Sequence, residues 1–281
     1  MLNGMASPDF EEALDRHASW GVRYLDLKDC IFGKSITQLE PLEISRARDL
    51  IRQSDLQVYC LSTGVLGGEI EKGEEICRTQ LDDLDRALAA AIELRPRFIR
   101  LLAAQTTERG RLSNAIPYVR DRHPWLIDLY REAIDRIQAA GFEPTIENEV
   151  DRCIVSSAEE FLDLRTAIDR PTLITWDVQN LWQMGVFPTL EVYDQLRHAM
   201  GYLHLKGGQC SGGSREMRWG CTLEDASYPA VEILRAVVRD AVSPVICLNP
   251  PHGKLRPGDS YEAILQSDLA FVRAIAEEQP S

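Results

Sequence analysis

Positive charge is scarce in this chain: 31 Lys and Arg stand against 44 Asp and Glu, a formal net charge of −13 over 281 residues. Affinity for a phosphate backbone comes largely from Lys and Arg, so this balance argues against nucleic acid as a partner. No run of about 18 apolar residues exists, which argues against a membrane span. The opening MLNGMASPDFEEALDRH lacks the basic then apolar layout of a signal peptide, and a cytoplasmic location is expected. The seven cysteines are odd in number and include no C-x-x-C. They suggest neither a disulfide framework nor a zinc knuckle, and a reducing compartment suits them. No Pro/Gly/Ser-rich linker divides the chain, so a single domain over 1–281 is expected. What is present, 44% hydrophobic and 27% charged residues, is the composition of a globular protein.

Short apolar runs rich in β-branched residues alternate with longer stretches of helical period to the end of the chain. Seven runs read as strands: VRYLDL (22–27), QVYCLST (57–63), RFIRLLAA (97–104), EPTIENE (143–149), TLITWDV (172–178), YLHLKG (202–207) and PVICLN (244–249). Eight stretches read as helices, from PDFEEALDRHASW to SYEAILQSDLAFVRAIAEE. Capping signals support several, such as Ser157 followed by Glu160, and Gly141 after a helix end. The alternation predicts an α/β fold, a (β/α)8 TIM barrel with a short or truncated first strand. Only MLNGM is left to supply that strand. A doubly wound open sheet is the alternative, but it would usually carry a Gly-rich phosphate loop after the first strand, and none is present.

Barrel chemistry belongs at the C-terminal ends of the strands. Glu147 and Glu149 lie at the end of one run, Asp177 at the next, His204 and Lys206 at the third, and Asn249 at the last. Strand alternation places Glu147 with Glu149, and His204 with Lys206, on common faces. Charges at such a place are costly to desolvate unless paired or bound to a cation. Two or three carboxylates and an imidazole from adjacent strands suit one divalent ion: Mn²⁺, Mg²⁺, Co²⁺ or Zn²⁺. The competing reading is a solvated rim on which Glu and Lys neutralise one another.

TIENE, ITWDVQN and YLHLKGG, in that order at successive strand ends, resemble the metal-site strands of the xylose isomerase-like TIM barrels. That superfamily includes sugar-phosphate isomerases and epimerases, ketose 3-epimerases, inosose dehydratases and the endonuclease IV group. The resemblance spans nearly the whole chain, though motifs this short specify the superfamily better than the reaction. It implies a divalent metal held by Glu147, Asp177 and His204, with Asn249 at the place of a fourth, acidic ligand. This sequence departs from the pattern at three positions. Asn180 stands three residues after Asp177 where a second His is usual, Asn249 replaces the acid, and Gly207 follows HLK where an Asp is usual. An Asn can ligate through its amide oxygen, but it removes a charge and accepts no proton, so metal binding is expected to be weak.

In the family's epimerases two glutamates flank the substrate, one removing a proton and the other returning one. Here the second is Asn249, unless His252 takes its place; a plain loop role is the alternative for His252. One-base chemistry remains. Glu147, or Glu149 beside it, removes a proton next to a metal-polarised carbonyl, and Lys206 stabilises the enolate. The leading expectation is a divalent-metal-dependent isomerase or epimerase of a sugar or related polyhydroxylated carbonyl compound. A dehydratase or lyase of the inosose dehydratase type stays open, as does a non-catalytic or partner-dependent sugar-binding relative. Glu149, Asn180, Trp176 and Arg218 are candidate substrate-binding residues. Trp176, with Trp182 and Trp219, would wall a sugar ring; Arg215 and Arg218, from the loop GGQCSGGSREMRWG, would hold a phosphate or carboxylate. Core packing and a solvated loop are the respective rivals. A homo-oligomer is left open.

Overall fold

Each expected apolar run becomes a strand of one parallel sheet. A computed structural model of the chain describes residues 1–210, 214 and 217–278. The strands are β1 (Tyr24–Leu27), β2 (Gln57–Ser62), β3 (Phe98–Leu102), β4 (Glu143–Glu147), β5 (Leu173–Asp177), β6 (Met200–Leu205) and β7 (Ile246–Leu248). Their order in the sheet is their order in the sequence, and every adjacent pair is parallel. Before β1, Leu2 makes one parallel bridge to Asp26, and the Asp26 N–H donates to the Met1 carbonyl over 2.9 Å. This contact occupies the place of the first barrel strand before the chain turns into a 3₁₀ helix at Asn3–Met5. Among the described residues the result is a nearly closed TIM barrel of seven strands.

The helices are α1 (Phe10–Ser19), α2 (Pro41–Gln53), α3 (Glu74–Arg78), α4 (Gln80–Leu94), α5 (Ala115–Arg122), α6 (Pro124–Ala139), α7 (Ala158–Ile168), α8 (Val178–Gln183), α9 (Leu190–Leu196), α10 (Ala230–Asp240) and α11 (Tyr261–Glu277). None in the described residues is long and apolar enough to cross a membrane. Periodicity alone joins α3 to α4, and it misses α5 and α8. Both missed helices start at an N-cap: Asn114 accepts from the Ile116 N–H, and Asp177 from the Asn180 N–H. The apolar stripes of the longer helices pack on the outer face of the sheet. On α10, Ile233, Leu234 and Val237 are buried there, and each such side chain contributes roughly 1.5–3 kcal/mol.

Alternation along the strands divides that outer core from the barrel interior. At the N-terminal end of the interior, Tyr59, Phe98 and Tyr202 form an aromatic floor, with centroid separations of 5.2 to 6.1 Å. On β5, Thr175 points inward, its hydroxyl 2.8 Å from that of Thr145 on β4. Trp176 therefore points outward, where it is fully buried in the core between sheet and helices. This corrects the expected sugar-facing wall at Trp176, since period two puts it opposite Asp177.

Candidate active site at the barrel mouth

Above the aromatic floor lies a buried ionic layer. Its side chains come from β1, β3, β4 and β6: Asp26, Arg100, Glu147 and His204, none more than 2% exposed. The guanidinium of Arg100 pairs with Glu147 Oε2 and also donates to the Thr63 carbonyl over 2.8 Å. Glu147 Oε1 stands 2.8 Å from His204 Nδ1. His204 Nε2 faces Asp26 Oδ2 at 3.5 Å, a charge contact rather than a hydrogen bond. Burial alone would raise the Glu147 carboxyl, but Arg100 and His204 outweigh it and hold the group well below the ordinary carboxylate range. Burial likewise opposes a charged His204, yet Glu147 and Asp26 lift it well above the ordinary imidazole range. Asp26 is kept low against its burial by His204 and Arg100.

A second layer sits over the first at the mouth. Lys206 Nζ is 2.8 Å from Asp177 Oδ2, donates to Asn180 Oδ1 over 2.8 Å, and lies 3.2 Å from His252 Nε2. Asp177 Oδ1 is taken by the Asn180 N–H at the start of α8. Asn180 also reaches Glu149 Oε2 at 3.5 Å. Lys206 has only donors, so it fixes His252 Nε2 as the lone-pair nitrogen. His252 Nδ1 stands 2.5 Å from Gln183 Nε2, and the His252 backbone N–H donates to Gln179 Oε1 over 2.8 Å. Burial first, and the charge of Lys206 second, push His252 down to about 4, so its ring is neutral at pH 7. Glu149 is half-buried, and no ion pair holds it among the described residues. Burial and the negative charge of Glu147 raise its carboxyl above the ordinary range.

Across the two layers Asp26, Glu147 and Asp177 face Arg100, Lys206 and the imidazolium of His204. The donors that a divalent ion needs are also here. Glu147, Asp177 and His204 offer ligand atoms that all lie within 4.8 Å of one another, and their oxygen and nitrogen suit such an ion. The set fits a cation, with competition. Arg100 already holds Glu147, Lys206 holds Asp177, and Asn249 brings an uncharged amide whose Nδ2 lies 2.9 Å from His204 Nδ1.

Other sequence candidates fall variously. His252 returns from the loop after β7 onto Lys206, although it is remote in sequence. Glu149 and Lys206 lie just past the ends of β4 and β6, so they sit higher than Glu147 and His204 rather than level with them. Arg218 is exposed and lies over the Trp219 ring at 5.4 Å, and Arg215 is outside the described residues. At Gly207 a Cβ would stand 2.0 Å from the Cys221 carbonyl oxygen and 2.5 Å from that of Thr222, so the chain has no room for the expected Asp. Arg100 and Asp26 are not among the residues that the sequence pattern picks out. Each is a charge inside an otherwise apolar run, the same signal that marks His204.

Residues 14–274 match the family model described as xylose isomerase-like TIM barrel. No curated protein matches the sequence. Among solved structures, the chain is similar to a xylose isomerase-like TIM barrel protein from Mycobacterium smegmatis in complex with magnesium, at 14% identity and a TM-score of 0.70, covering 95% of this chain and 88% of that one. It is similar to a D-psicose 3-epimerase with D-tagatose from Clostridium cellulolyticum H10, at 13% identity and a TM-score of 0.71, covering 98% of each chain. It is also similar to a probable 3-DHS dehydratase, AsbF, from Bacillus anthracis, at 14% identity and a TM-score of 0.70, covering 97% of each. At these identities the likeness establishes the fold alone.

Proposed function

Since the chain belongs to the xylose isomerase-like TIM barrel family, we propose that it is an isomerase of a sugar or related polyhydroxylated carbonyl compound, working by proton transfer next to the carbonyl. The observation that carries this reading is Glu149: a half-buried carboxyl raised above its ordinary range, free of an ion pair among the described residues, at the mouth beside the Lys206 cluster. A base whose pKa approaches the working pH is the effective one. Glu147, held low by Arg100, is a poor proton carrier and a good fixed anion. Glu149 takes the proton from the carbon beside the carbonyl and returns it to the neighbouring carbon on the same face, so one base suffices.

Lys206, fixed by Asp177 and Asn180, supplies a positive charge for the oxygen that gains electron density, and needs no reorientation to do so. Neutral His252 accepts a hydrogen bond from Lys206 and so helps to hold its ammonium in place. Glu147, Asp177 and His204 would hold a divalent cation, which when bound polarises the substrate carbonyl. Asn249 makes that binding weak. Candidate keto-sugars incubated with the protein in D₂O test the reading. Deuterium beside the carbonyl, with isomer formed and no water lost, supports it. Loss of water would make the protein a dehydratase, and binding without exchange would make it a sugar-binding relative.

A further inference from the structure

We propose that Asp26, His204 and Cys247 form a second metal seat, thiolate-containing and suited to zinc, inside the barrel below the mouth. The seat shares His204 with the cation set at the mouth, so the two compete for that imidazole, whereas proton transfer by Glu149 does not involve the seat. The three residues come from β1, β6 and β7, are fully buried, and present ligand atoms all within 4.8 Å of one another. His204 Nε2 stands 3.5 Å from Asp26 Oδ2, and Cys247 Sγ stands 3.9 Å from the same oxygen. Around tetrahedral zinc, bonds of about 2.0 Å to O and N and about 2.3 Å to S separate the ligand atoms by roughly 3.3–3.6 Å. The two separations from Asp26 Oδ2 are thus within a few tenths of an ångström of that spacing, and the third lies within 4.8 Å. Oxygen, nitrogen and sulfur together favour zinc over magnesium or calcium.

These residues and their neighbour also carry unpartnered atoms. His204 Nε2 and Asp26 Oδ1 are buried with no hydrogen-bond partner, and so is the hydroxyl of Tyr202, whose ring centroid lies 4.7 Å from that of His204. The other imidazole nitrogen is already committed: Nδ1 faces Glu147, which Arg100 holds from its far side. A carboxylate behind a histidine is the usual outer support of a zinc-bound imidazole, fixing the tautomer so that Nε2 is free to ligate. Both ligands bind in their deprotonated forms, Cys247 as thiolate and His204 through a neutral Nε2, so metal entry releases protons. With Nε2 engaged, Nδ1 keeps its proton for Glu147 and leaves the upper donor set.

Cobalt(II), a spectroscopic stand-in for zinc, tests this on the metal-free protein. One equivalent should give a sulfur-to-cobalt charge-transfer band in the near ultraviolet, displaced by zinc. Cys247→Ser should remove the band and weaken zinc binding by about a hundredfold or more, while Asp177→Asn keeps both. No band in the folded wild type, a band that survives Cys247→Ser, or one that disappears with Asp177→Asn would overturn the proposal. Should Cys247→Ser fail to fold, X-ray absorption on zinc-loaded wild type decides instead. One sulfur in the first shell supports the seat, and an all-oxygen and nitrogen shell rejects it. Deuterium exchange into keto-sugars reports separately on the isomerase reading.

Discussion

The lower and upper layers of the barrel mouth are built from the same residue types and do opposite things. Below, Arg100, Glu147, His204 and Asp26 are sealed, and each charge is answered by another. Burial there makes the charged states persistent, because losing any partner strands a neighbour. Above, Glu149 is half-buried, and burial first and the like charge of Glu147 second raise its carboxyl. Two carboxylates two residues apart are thus driven in opposite directions, which is how one protein obtains a fixed anion and a titrating base.

The largest expected effect comes from removing the keystone of the lower layer. Arg100→Met should cost about 3–5 kcal/mol in denaturant unfolding, since Glu147 and Asp26 lose their buried counter-charge. Glu149→Gln should leave the fold intact while lowering turnover by about 10²–10⁴-fold, measured on whichever keto-sugar exchanges.

The same variant separates the layers by pH. The folded Glu149 pKa is raised, so its contribution to stability is present below the ordinary carboxylate range and is lost as pH rises through the raised value. Glu149→Gln should therefore be more stable than wild type at pH 8, with the difference vanishing near pH 4. Glu147 and Asp26 are depressed, so both proteins should lose stability together as the pH falls below the ordinary carboxylate range. A smaller effect is expected from Asn249→Glu, which restores a charged ligand and should tighten Mn²⁺ binding about tenfold by calorimetry. Weaker binding would mean that β7 does not deliver residue 249 to the site. Smallest is Arg218→Ala, exposed and outside both layers, which should shift unfolding by less than about 0.5 kcal/mol.

Much of the barrel and its mouth is legible in the amino-acid sequence, and the gaps have physical causes. Glu147, Asp177 and His204 are readable because each ends or interrupts a short apolar run at the end where barrels do chemistry. Arg100 and Asp26 interrupt such runs too, but their meaning depends on register. Register sets Arg100 opposite Thr145, one inward position below Glu147, and only the reach of its guanidinium to Glu147 and of Asp26 to His204 brings both into that layer. Trp176 is misplaced by its sequence proximity to Asp177, although period two argues against it. His252 reaches Lys206 through the return of the chain after Pro250-Pro251, which no local pattern specifies. Gly207 departs from the family pattern for a reason that lies in another segment: the carbonyls of Cys221 and Thr222 fill its side-chain space. Strand existence is readable, then, whereas depth within the barrel is not.

The central claim is that Glu149, above a sealed ionic layer, carries the proton. Deuterium wash-in from D₂O to the carbon beside the carbonyl of an accepted keto-sugar, followed by NMR for wild type and Glu149→Gln side by side, tests it most directly. Exchange is expected in the wild type and none above background in the folded variant. Undiminished exchange in Glu149→Gln would contradict it.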